Sequence, residues 1–473
     1  MDDRAAGDGA AFGGSHSVGH NSAQTEPHSF RRRLGNCLRA PLRWARAARS
    51  RPGLLLRLAF LLLVLGVGIW IVARQAYGWH QLVAGKHDLQ ADHCRDALDH
   101  FRASLEIWPE DPTTLFLAAR AARRVGDFEA AERYLTKCQA SSSMAEPAAF
   151  ERVLLRATRG EIDAVGGFCQ VLLDQGHPDT PLILEALALG ELTQLRFKTA
   201  EIYLDLWLAK SPDQAQAVFL KGRLQLQASN SQEALGLLRR AVELDPERDD
   251  ARLLLAGLYL DLGQAREALP HLEEARRRLP HNLFAQTRMA QCLVLLGRPE
   301  EAISLLDGVL RQNPDVPSAL LERGKLAFRD GELEKAEAWL RKACKRDPGN
   351  RAAHYQLLQC LKQEGKVAEF RAVQQRLDQI DQDSTRMREI VTELLPKRRN
   401  DPDLHAELGE LFLSVGAVPE GVSWLDRALQ LEPRNPRAHR ALAQHYYSLG
   451  QSGKAQQHRD LGGVLDPAPI TPK

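Results

Sequence analysis

Apolar residues recur through most of this 473-residue chain at separations of three and four, the spacing that lines one face of an α-helix. Ala200, Leu204 and Trp207 make one such stripe. The same stripe returns every 34 residues as Ala234–Leu238–Ala241, Ala268–Leu272–Ala275, Ala302–Leu306–Val309 and Ala336–Leu340–Ala343. Twelve residues before each stripe stands a small residue: Ala188, Gly222, Ala256, Ala290 and Gly324. Between the two lies a turn position, held by Gly263, Gly297 and Gly331 in three units and by Leu195 and Ser229 in the two before them. Prolines close the units at 178, 212, 246, 280, 314 and 348. This predicts pairs of antiparallel helices: small residues let the axes approach, leucine fills the gap, glycine accepts the left-handed turn, and proline stops the second helix.

A period of 34 with this signature resembles the tetratricopeptide repeat family, over about four-fifths of the chain. The resemblance implies an all-α solenoid of about 10–11 helix–turn–helix units. Looser units precede the regular ones: Gly85, Ala97, Phe101 and Pro109, then Gly126 and Ala131, then a degenerate unit with Gly160, Val165 and Cys169. After Pro348 the register slips, because Pro433 is 85 residues on, two periods plus 17. Phe370 and Gln374 stand where a small residue and leucine belong. An extended or additional helix is expected through Met387, Ile390 and Leu394 to Pro396. The expected organisation is a superhelix over 79–380, that extra helix over 381–400, and a two-unit block over 401–467. The last helix of that block carries Arg459 in place of leucine and reads as a polar cap; residues 468–473 form a tail.

The N-terminal end follows different rules. Residues 1–30 lack apolar periodicity and predict a disordered tail. Residues 31–53 form a basic segment holding eight arginines. An apolar run over 54–74 follows, interrupted only by Arg57 and ended by Arg74. At about 1.5 Å per residue it spans about 30 Å, the thickness of a bilayer core. The arginine excess ahead of it predicts a single-pass membrane protein with its N-terminus cytoplasmic and its repeats on the other side. The basic segment would also touch anionic lipid.

Charge divides the same way. Residues 1–87 hold 12 Lys and Arg against 4 Asp and Glu, leaving 51 against 57 in the remainder. A mildly acidic repeat region argues against nucleic acid as partner. The seven cysteines form no C-x-x-C pair, and Cys138, Cys169, Cys292 and Cys360 fall at packed repeat positions, where they read as core fillers. His80, His87, His93, Cys94 and His100 are the densest chemical cluster, but their intervals do not place two ligands three or four apart on one helix face. No nucleotide or hydrolase motif is present outside the apolar run, so no cofactor, metal or catalytic residue is expected.

The resemblance further implies that the first helix of each unit lines a concave surface. The candidate binding residues are Lys86, Phe116, Arg120, Phe219, Arg223, Leu321, Lys325, Phe328 and Tyr355, aromatic and apolar anchors interleaved with cations that suit an extended acidic peptide. Relatives that clamp chaperone tails carry lysine and asparagine where this chain has Leu82, Lys86, Phe116 and Arg120, so that ligand is disfavoured. The expected function is a non-enzymatic protein-interaction scaffold serving envelope complex assembly. The alternatives are an enzyme-associated subunit or weak metal-dependent activity at the His80–His100 cluster, and a cytoplasm-facing regulator if the topology is reversed.

Overall fold

The computed structural model describes residues 52–139 and 142–463, and every regular element in them is helical. The expectations for residues 1–51, for Pro467 and for 468–473 lie outside the described residues. Twenty-two α-helices pair into antiparallel hairpins that stack as an all-α solenoid among these residues.

The central hairpins follow the sequence pattern residue by residue. In Ala215–Gln227 with Ser231–Leu244, and in the units after it to Leu333–Arg346, the recurring Ala and Leu are fully buried. The small residue on the first helix faces the leucine on the second: a Cβ on Gly222 would meet Leu238 at 3.2 Å, and one on Gly324 would meet Leu340 at 2.7 Å. Gly263, Gly297 and Gly331 take φ of 72°, 77° and 79° at the turns. Leu195 and Ser229 adopt the same left-handed backbone, at φ 55° and 62°, so the turn geometry is imposed by packing even where the side chain disfavours it. The prolines sit in the loops between hairpins, as Pro246 does between Leu244 and Asp249. They end one helix without starting the next. Asn282, Asn350 and Asn435 do that, each accepting a backbone N–H three residues on at 2.9–3.0 Å.

The third and fourth hairpins depart from the pattern. In Ala145–Thr158 with Ile162–Asp174, the second helix buries only Ile162, Val165 and Cys169. Its Phe168 stands exposed beside the Gly166–Gly167 pair. The first helix instead packs directly on Thr180–Thr193: a methyl group on Gly190 would run into the carbonyl oxygen of Ala157.

At the C-terminal end, Val367–Glu389 runs for 23 residues and passes into a π-helical turn, Ile390–Leu394. Phe370 is half-buried and Gln374 exposed, while burial passes to Leu377, Ile380 and Ile390. Hairpins Pro402–Ser414 with Val418–Leu431 and Pro436–Ser448 with Ser452–Leu461 follow, on apolar clusters separate from the central core. The last helix buries Ala455 alone, and Arg459 lies 5.5 Å over the Tyr447 ring.

The N-terminal helix, Pro52–Gln90, is 39 residues long and unbroken. From Leu56 to Tyr77 its side chains are exposed; from Gly78 it becomes the first helix of the first hairpin, with Gly78 against Trp108 and Gly85 against Phe101. Arg74 and Gln75 already bond the closing loop of that hairpin, at the Glu106 carbonyl (3.2 Å) and the Trp108 indole (2.6 Å).

Candidate interaction surface

Because residues four apart share a helix face, the first-helix pattern of aromatic then cation places each guanidinium over a ring. Arg120 lies 4.9 Å over Phe116, Arg223 5.7 Å over Phe219, and Arg248 approaches the same Phe219 at 5.4 Å. Arg288 lies 5.2 Å over Phe284, a pair that the sequence pattern did not single out.

The candidate residues differ sharply in availability. Phe219 and Leu321 are buried, and Phe116 and Phe328 are half-buried against the core. Arg120 is committed to Glu151 at 2.9 Å, and Lys325 to Glu322 at 2.7 Å. Glu322 also accepts from Gln291, which in turn accepts from Arg288, so a polar chain crosses two hairpins. Tyr355 is 45% exposed. Lys86 and Arg223 are exposed and have no acidic partner among the described residues. Two of the four candidate cations, Arg120 and Lys325, are therefore neutralised from within, and Arg223, Lys86 and Tyr355 remain open.

Carboxylates on helices ordinarily sit on solvated faces. Glu151, Glu185, Glu191, Glu322 and Asp383 are instead buried. Glu151 is held by Arg123 at 2.7 Å and by Arg120, and both Glu151 and Arg123 are fully enclosed. Burial alone would raise the Glu151 carboxyl, but Arg123 and Arg120 outweigh it and hold it below the ordinary carboxylate range. Arg124 bridges Glu185 (2.9 Å) and Asp92 (2.5 Å), and Asp92 also meets Arg248 at 2.7 Å, 156 residues along the chain. Burial raises the Asp92 carboxyl despite the opposing pull of Arg124 and Arg248. Asp92 has a left-handed φ of 69° and so marks the first turn. The only hint in sequence was a non-glycine at a turn position.

A second return contact comes from the other end. Leu195 packs on the cluster of Ile390, Leu395, Leu404, Leu408 and Trp424. Burial raises the Glu191 carboxyl, against the pull of Arg196, Arg399 and Arg427 nearby. Helix Thr180–Thr193 and its turn thus receive Arg124 of the second hairpin on one side and the cluster from Ile390 to Trp424 on the other.

The histidine cluster is dispersed. His80 and His87 are exposed, His93 faces Asp245 (3.6 Å), and His100 bonds Gln81 and Asp88. Among the described residues no three His, Cys, Asp or Glu converge as metal ligands. Cys292, Cys360 and Cys138 are buried, each donating to a backbone carbonyl at 3.2–3.5 Å. Burial pushes the Cys360 and Cys169 thiols up to about 11, as suits inert fillers.

Stacked hairpins with interlocking small and large residues, and no convergent chemical group among the described residues, define a solenoid built for contact along its faces. The chain belongs to the tetratricopeptide repeat family. Profiles described as Tetratricopeptide repeat match residues 82–145, 253–317, 287–351 and 327–394, and one described as Anaphase-promoting complex, cyclosome, subunit 3 matches 193–275. A curated relative, Cellulose synthase operon protein C of Pseudomonas fluorescens (strain SBW25), is 28% identical over 324 residues. The match takes in 67% of this chain but only 20% of that protein, so the chain spans about one-fifth of its relative. Solved structures with a like fold include the human IFIT1 dimer with PPP-AAAA (15% identity, 74% of this chain and 90% of that one, TM-score 0.39). Another is TTC0263, a thermophilic TPR protein in Thermus thermophilus (22% identity, 50% and 98%, TM-score 0.27).

Proposed function

We propose that this chain is a non-enzymatic interaction scaffold, held by one membrane-spanning helix and presenting its solenoid outside the cytoplasm. The observation that carries the reading is the helix Pro52–Gln90. Its stretch from Leu56 is long and apolar enough to cross a bilayer, with none of that apolar window buried by the protein, and it runs without a linker into the first hairpin. A core helix of that composition would be covered. The eight arginines ahead of it set the orientation and give a contact for anionic lipid. Organisation as one superhelix over 79–380, an extended or additional helix over 381–400 and a C-terminal pair over 401–467 belongs to the same reading.

Partners are proteins or extended peptides that meet the first-helix face, with Arg223, Tyr355 and Lys86 as its free contacts and Phe116, Phe219, Leu321 and Phe328 as its floor. Acidic groups on the partner would suit Arg223. The likeness to a protein named for a cellulose synthase operon supports service to an envelope complex and nothing finer. The test is affinity purification from solubilised membranes, comparing the native chain with Phe219→Ala/Arg223→Ala/Lys325→Ala and with Arg223→Ala alone, which leaves the core intact. Loss of the same partner from both variants is the expected result. Unaltered partners in both would overturn the face assigned.

A further inference from the structure

We propose that two copies of this chain pair in parallel along the helix Pro52–Gln90, through a seam that starts in the membrane and continues into the first hairpin. The inference rests on the membrane reading above. On this helix, Ala59, Gly66, Ala73, His80 and His87 recur every seven residues, and Leu62, Ile69, Ala76, Val83 and Gln90 recur three residues after each. A seven-residue repeat with seam residues at the first and fourth places is the spacing of paired supercoiled helices.

The structure leaves that seam free. Gly78, Leu82 and Gly85, with the half-buried Gln81, Asp88 and Leu89, pack on the chain's own first hairpin. Ala76, Tyr77, His80 and Val83 face away from it, Val83 at 48% exposure, while Trp79 stands at the edge, beside Ile107 and Trp108. Charge divides along the same line. Arg57 and Arg74 are the only Asp, Glu, Lys or Arg residues from Leu54 to Gly85, and both lie off the seam and off its flanks. The solenoid therefore occupies one side of the helix, and the opposite side carries no acid, lysine or arginine from Leu58 to Ala84.

Lipid does not cover this face. The headgroup layer adds about 5–7 Å beyond the hydrocarbon on each side, whereas Val83 lies about 14 Å past Arg74 at about 1.5 Å per residue. The residues before Pro52 lie across the bilayer under the proposed topology. A second copy, inserted in the same direction, presents the same residues at the same depth. A two-fold axis along the membrane normal then joins Gly66 to Gly66 and Val83 to Val83, with both solenoids outside the seam. Glycine and alanine at the first place suit close approach in lipid, and His80, with His87 and Gln90 beyond it, supplies polar seam positions of the kind that fix register.

The experiment introduces cysteine singly at Ala76, His80, Val83 and, as control, exposed Arg95, in the full-length chain in native membranes. Oxidation should give disulfide-linked dimers at Ala76, His80 and Val83, several-fold above both the native chain and Arg95→Cys. Val83→Glu, at an exposed site, should return the detergent-solubilised native dimer to monomer mass. Equal cross-linking at all positions, or a native monomer, would overturn the proposal. Alkaline carbonate extraction of the same membranes separates the two readings. A chain that resists extraction but does not cross-link refutes only the pairing. A chain that washes off refutes the membrane span beneath it.

Discussion

The hairpins from Ala215 to Arg346 and those from Ala145 to Lys210 are built from helices of the same length, yet they hold together differently. In the first group each unit buries the same alanine and leucine. In the second, one helix leaves Phe168 and Val171 exposed and buries only Ile162, Val165 and Cys169, two first helices press together at Gly190, and Glu151, Glu185 and Glu191 enter the interior. Buried carboxylates need cations, and these come from Arg120, Arg123, Arg124 and Arg196. Through Arg124 on Glu185 the second hairpin, and through Leu195 the cluster from Ile390 to Trp424, then return to this one region, while Asp92 reaches Arg248 in the central array. Regular repeats make a stack with neighbours only. An irregular one gives the stack long-range contacts.

Removing one charge is the strongest way to break this contrast. Glu151→Ala leaves Arg123 enclosed without its partner and should destabilise by about 3–5 kcal/mol, read from the denaturant midpoint. Glu334→Ala, on an exposed central face, should change stability by under about 0.5 kcal/mol. The pH dependence follows the same sign. A carboxyl depressed in the folded state stabilises fully above its unfolded value, and that contribution is lost as pH falls through the folded value. The 145–210 hairpins should thus loosen in acid below the ordinary Glu range, and Glu151→Gln should remove that acid step.

In the central array, Leu306→Ala should cost about 3 kcal/mol. Because the hairpin that holds Leu306 packs on its adjoining hairpins, loss of hydrogen-exchange protection should stay within them. Spread of the effect to Asp92 or to Trp424 would show the array to be less one-dimensional than described.

Glycine to alanine should change sign between the two regions. Gly190→Ala meets the Ala157 backbone and should destabilise by about 1–3 kcal/mol. Gly236, in mid-helix with nothing within 4 Å of where an alanine methyl would stand, should gain about 0.5–1 kcal/mol as alanine. Smallest of all, Ser229→Gly should relieve the left-handed φ at that turn and raise stability by up to about 1 kcal/mol, measured by thermal unfolding.

The regular hairpins were legible because each reports itself five times over: Ala234 and Leu238 mean little alone and a great deal beside Ala268 and Leu272. The long helix was legible as an apolar run, although not its direct fusion to the first hairpin, since nothing between Ala73 and Gly85 marks where lipid gives way to packing. The charged interior was hidden. Glu151 and Glu185 look in sequence like any solvated glutamate, and only Val165 and Cys169, standing where the stripe alanine and leucine belong, hinted that this unit packs differently. Among the candidate contacts, the interleaving of aromatics and cations was visible in sequence, and the structure stacks Arg120 on Phe116 and Arg223 on Phe219. That interleaving did not reveal that Glu151 and Glu322 already neutralise Arg120 and Lys325, because in sequence these acids look no different from solvated ones.

The central functional claim is that the solenoid stands outside the cytoplasm on its own N-terminal helix. Fusing alkaline phosphatase or a cytoplasm-dependent fluorescent protein after Gly463 of the full chain tests it most directly. The account predicts phosphatase activity in the membrane fraction and a dark fluorescent fusion. A bright fluorescent fusion with inactive phosphatase would place the repeats in the cytoplasm and contradict it.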